Sequence, residues 1–174
     1  MTARQRYARA MEWTYFACIA LSGAALVAIT LMIPAGVFMR YVMNNPMSWP
    51  EPAAVVLMVM FSFIGGAAVY RANVHVAVEA LVNAVSPAAR RAMRRAVDAC
   101  MGVTALFMIG YGIHLCVITR FQSMAEFPWL SVAFVYLPIP IGGFLTLLFL
   151  IERVWAGSPP ATSIMYRDQV SELE

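Results

Sequence analysis

Two histidines, nine carboxylates and three cysteines are the side chains of this 174-residue chain able to do acid–base, metal or nucleophilic chemistry. Their placement argues against most of it. His75 with Glu79 makes at best half of a helical metal site, and an ordinary i, i+4 pair is the better reading. His114 lies beyond a long apolar run from His75, so the two fall on opposite sides of a membrane and cannot ligate one haem iron. Cys18, Cys100 and Cys116 all sit inside apolar runs with no CxxC spacing, which reads as buried bystander thiols rather than a disulfide or zinc framework. No Ser-His-Asp, Cys-His, HExxH or phosphate-loop pattern is present. Glu12, Glu51, Asp98, Glu126 and Glu152 fall at the ends of apolar segments, so no carboxylate takes the mid-membrane position that a self-sufficient proton-coupled exporter needs. The sequence therefore predicts neither an enzyme nor a cofactor or metal site.

The elements that position these residues are set by composition. Hydrophobic residues make up 62% and charged residues 12%, against about 45–50% and 25% in soluble domains. Four apolar segments, about 13–39, 52–70, 97–119 and 130–151, each reach the ~20 residues that cross ~30 Å of hydrocarbon. They must be helices, because lipid offers no partner for open backbone groups. The first is too long for a cleaved secretion signal and reads as retained. The expectation is an all-α integral membrane protein: one four-span domain over 1–155, then a tail over 156–174.

All twelve cations are arginine. Arg4, Arg6 and Arg9 precede the first span, Arg71, Arg90, Arg91, Arg94 and Arg95 lie between the second and third, and Arg153 and Arg167 follow the fourth. Only Arg40 and Arg120 lie on the other side. The positive-inside rule then puts both termini in the cytoplasm and the two short connections outside. Guanidinium groups suit phosphate, but no soluble basic surface exists to carry nucleic acid.

The inner connection holds "VHVAVEALVNAV", residues 74–85, too short to span. His75, Glu79 and Asn83 recur every four residues and form one polar stripe, the pattern of a short amphipathic helix at the bilayer surface. "SPAARRAMRR" then opens the third long helix, with Ser86 as N-cap and Pro87 at the first helical position. Arg90, Arg91, Arg94 and Arg95 oppose that helix's dipole, making anionic lipid headgroups candidate partners. In the fourth span, "YLPIPIGG" predicts a kink or local unwinding about mid-membrane, more consistent with a close helix contact than with a substrate site. Gly65, Gly66, Ala67 and Ala68 also read as close-packing positions.

Between the first two spans runs "RYVMNNPMSWPEP". Ser48 and Glu51 have capping-box spacing, and Trp49 stands where aromatic residues anchor at the interface. With "FSFIGGAAVYRANVHVAVEAL" downstream, this stretch resembles the small membrane subunit (DctQ-like) of tripartite ATP-independent periplasmic (TRAP) transporters. The resemblance rests on Arg40, Tyr41, Asn45, Ser48, Trp49, Glu51, Gly65, Arg71, His75 and Glu79. It extends to "FPWLSVAFVYLPIPIGG" and covers about residues 12–155. Glu51-Pro52 replaces an acidic pair common in the family, Phe61 stands at a frequent Trp, and Glu79 takes the place of an Asp.

The resemblance implies a small permease subunit that scaffolds a large multi-spanning elevator subunit. The transport expected is sodium-coupled, with a periplasmic binding protein delivering an organic acid. The outer loops, Asn44 to Glu51 and Arg120 to Trp129, would then help dock the binding protein, with Arg120, Gln122 and Glu126 as candidates. A self-sufficient four-span exporter and a membrane anchor of an electron-transfer complex are the rival readings.

Overall fold

The computed structural model describes residues 3–72 and 87–156. It is all-helical: α1 (Ala3–Tyr41), α2 (Pro50–Ala72), α3 (Pro87–Thr119), the short α4 (Ala133–Tyr136) and α5 (Pro138–Ala156). Four stretches are long and apolar enough to cross a membrane: Arg9–Tyr41, Pro50–Ala72, Arg91–Thr119 and Ala133–Trp155, the last combining α4 and α5. The 74–85 segment and the Ser86 cap lie outside the described residues, as does the 157–174 tail; Pro87 does open α3.

The helices are stacked in the order α1, α2, α5, α3, so the last span wedges between the second and the third. Small residues make this possible. A Cβ on Gly142 would sit 2.7 Å from the Phe63 carbonyl oxygen of α2, and one on the adjacent Gly143 would sit 2.9 Å from the Ala105 carbonyl oxygen of α3. Successive residues on a helix point about 100° apart, so one Gly-Gly step serves both neighbours. Gly112 of α3 in turn accepts Pro140, whose Cδ would be 2.7 Å from an added Cβ. The close contact expected around "PIPIGG" is therefore present on both sides of α5. Gly65 packs against Ser22 of α1, and Ala67 and Ala68 are buried, but Gly66 faces open space. Gly66, unlike its three neighbours, therefore packs against no described helix of this chain.

The fourth span begins as α4 and is interrupted only at Leu137. Leu137 keeps helical dihedrals (φ −57°, ψ −35°) and donates to Ala133 O. Pro138 and Pro140 supply no N–H, so the ladder thins without the backbone unwinding. At the other end α5 continues through Glu152 and Arg153 to Ala156, past the boundary expected at residue 151. Those charges are consumed inside the structure.

Candidate functional site

The densest polar constellation lies at the end of the stack that carries the N-terminal part of α1 and the C-terminal part of α5. Arg71, in the last turn of α2, meets Glu152 of α5 in a two-pronged ion pair: Nε donates to Oε2 at 2.8 Å and Nη2 to Oε1 at 2.9 Å. The side chains are 11% and 3% exposed. The Arg71 guanidinium also lies over the rings of Tyr15 (5.1 Å) and Phe149 (5.6 Å). Planar stacking and bidentate pairing together are what guanidinium does and ammonium cannot. Glu152's neighbour Arg153 turns the other way, to Asp98 of α3 at 3.4 Å, and lies over the Tyr70 ring. This second pair is looser. Asp98, Arg153 and the buried Tyr70 hydroxyl form one loose polar cluster rather than a tight two-pronged pair.

α1 is tied in by Tyr7, whose hydroxyl donates to the Leu148 carbonyl at 3.1 Å and whose ring lies 6.0 Å from that of Trp155. Burial, and secondarily the Glu152 charge, hold the Tyr7 phenol above its ordinary range, so it remains a donor. Met11, Ala67, Tyr70 and Phe149 form the apolar core around this clasp. Chemically the clasp is closed. Each carboxylate faces a guanidinium, which fits joining helices better than passing protons. Glu152, Arg153 and Asp98 were read from sequence as span-end charges; their pairing partners are up to 81 residues away, beyond the reach of any local pattern.

The opposite end presents the connections. Arg40 and Glu51, both positions of the sequence resemblance, form an ion pair at 3.0 Å with side chains 44% and 69% exposed. α2 starts at Pro50, and the Trp49 carbonyl accepts from Ala53 N. The N-cap place is thus taken by Trp49 rather than Ser48, and Glu51 serves Arg40 instead of a capping box. Asn44 adopts φ 52°, a left-handed turn that asparagine tolerates better than most residues. Beneath Trp49, an apolar groove of about 440 Å³ lies between α1 and the start of α2, lined by Leu31, Met32, Gly36, Met39 and Pro50 among others. Tyr41 is exposed beside it.

The second connection is ordered by Ser131. Its hydroxyl donates to the Arg120 carbonyl at 2.8 Å and accepts from Ala133 N at 3.2 Å. Val132 N donates to Gln122 O, closing a small antiparallel bridge between Ser123 and Ser131. Arg120 lies over the ring of Phe121, and Phe127 packs edge-on to Trp129. The side chains of Arg120, Gln122 and Glu126 are exposed on this cap. Arg91, Arg94 and Arg95 are exposed along the start of α3; the Arg90 side chain, His75 and Glu79 lie outside what is described.

Among the described residues no three His, Cys, Asp or Glu converge on a metal site. Cys18 is buried and Cys116 partly so, but Cys100 is exposed on α3, against the expectation of three buried thiols.

Four long apolar helices bound by charge pairs only near their ends define a multi-pass membrane protein. Residues 29–158 match the family described as tripartite ATP-independent periplasmic transporters, DctQ component, and the chain belongs to that family. This is a family of transporter components, not of enzymes. Comparison with curated proteins gives no match.

Proposed function

We propose that this chain is the small permease subunit of a TRAP transporter, acting as a fixed scaffold for a large elevator-type subunit. The system takes up an organic acid, driven by sodium and supplied by a periplasmic binding protein. Family membership carries the assignment. The scaffold role is supported by the clasp: among the described residues, Arg71, Glu152, Arg153 and Asp98 are tied up in pairs that join helices. Each span also buries no more than 28% of its most apolar 18 residues within the chain, leaving ample surface for a membrane partner and lipid. Both termini are cytoplasmic in this reading, with Arg91, Arg94 and Arg95 at anionic headgroups and the Arg120–Trp129 cap facing the periplasm.

The test is co-purification from native membranes in mild detergent. A large multi-span protein in equal amount is the expected result; a chain that emerges alone or as a homo-oligomer would sink the assignment. For orientation, a cysteine at Ser123 should react with a membrane-impermeant thiol reagent in intact cells. Labelling only after permeabilisation would invert the topology.

A further inference from the structure

The helix face opposite the bundle is not equally inert on the two flanks. On α3, Ala105, Gly112 and Thr119 are buried against the bundle. Val103, Phe107, Gly110, Tyr111 and His114 share the opposite face, and all are exposed. Phe107 stacks on Tyr111 at 5.2 Å, and Tyr111 meets His114 edge-on at 6.0 Å. Among the described residues, neither the Tyr111 hydroxyl nor the His114 ring makes a hydrogen bond within the chain. At 1.5 Å per residue, His114 lies about 7–8 Å and Tyr111 about 12 Å below the Thr119 end of the helix. Tyr111 is then too deep for the interfacial aromatic belt, and both polar groups would meet hydrocarbon unsatisfied.

The α1 flank has solved the same problem internally. Thr30, exposed there, returns its hydroxyl proton to the Leu26 carbonyl of its own helix, as the half-buried Thr14 does to Ala10. Thr104 does likewise on α3, and a serine such as Ser62 has that route by rotating χ1. A helical imidazole or phenol has none, because its polar atoms project past the neighbouring carbonyls. Beside them, a Cβ on Gly110 would meet nothing within 4 Å, a notch that lets another helix come close.

We propose that the outward face of α3 is the seat of a transmembrane helix of the large subunit, which offers a hydrogen-bond acceptor to Tyr111 and His114. The inference rests on the scaffold reading and adds the surface and the chemistry of its contact. Ionisable side chains within membranes face protein or water rather than lipid, and this is the described flank where such a demand is unmet.

The test uses the intact complex, with a benzophenone side chain placed at Phe107, at His114 or, as reference, at Val27 on the outward face of α1. Cross-linking to the large subunit from Phe107 and His114 but not Val27 is the expected result. Adducts from Val27 alone, or from no position while the partner still co-purifies, would overturn this seat and leave the scaffold reading standing. Self-adducts, or absence of any partner, would overturn both. His114→Leu should reduce retained partner about three- to fifteenfold, the worth of one interhelical hydrogen bond in a membrane; unchanged retention would refute that bond.

Discussion

Glu152→Gln isolates the contribution of the clasp. The substitution keeps the shape of the side chain but removes its charge, leaving the Arg71 guanidinium, 11% exposed, without a counter-ion. Losing one member of a buried ion pair costs about 3–5 kcal/mol, chiefly because the survivor stays desolvated. Stacking on Tyr15 and Phe149 is the same before and after the change and cancels, but the introduced amide oxygen can still accept a guanidinium hydrogen bond worth on the order of 1 kcal/mol, so a net loss of about 2–4 kcal/mol is expected. Replacing both partners together, Arg71→Met with Glu152→Leu, should recover most of it, since an apolar pair has nothing to desolvate. Arg40→Ala at the exposed pair sets the baseline, because solvent screening limits such pairs to about 0–1 kcal/mol. The assay is unfolding of the purified chain by increasing SDS in mixed micelles, followed by tryptophan fluorescence. If Glu152→Gln costs no more than Arg40→Ala, or if the double variant is as weak as the single, the clasp is not what holds α2 to α5.

The glycines separate contact from mere smallness. Gly142→Ala drives a methyl into the Phe63 backbone and should cost about 1–3 kcal/mol, whereas Gly66→Ala and Gly110→Ala should leave the SDS midpoint of the isolated chain unchanged or slightly raised. Ser22→Ala removes a buried hydroxyl that has no hydrogen-bond partner. It should therefore be neutral or stabilising by up to about 1 kcal/mol in the same unfolding assay. Charge reversal at Arg120 and Glu126 should weaken binding of the periplasmic protein to the reconstituted complex, read by surface-immobilised binding. Unaltered affinity would remove the cap from the docking surface.

The spans were legible because lipid imposes a crude rule on length and polarity, and α1 to α3 obey it. Edges failed where charge and helix end part company. Leu130 and Val132 are apolar and look like span, but Ser131 between them folds the chain back onto Arg120. Glu152 and Arg153 look like an exit, but they are paired and the helix runs on. No one-dimensional pattern announces that two adjacent residues will find partners on two different helices, one 81 positions earlier. Of the candidate positions, Arg40 and Glu51 prove to be partners of each other and Arg71 becomes the hub of the clasp. Nothing in the spacing of Arg71, a charge at a helix end, distinguished it from Arg40.

The stacking order carries a consequence for how the chain is made. The last span is the one that joins the others, so until it leaves the ribosome α1–α2 and α3 have no shared seam. During that interval Arg71 and Asp98 lack the partners they have in the finished fold. A single dipeptide, Glu152-Arg153, then neutralises both. Any product cut short before residue 152 therefore lacks both of these partners and most of the helix that joins α2 to α3.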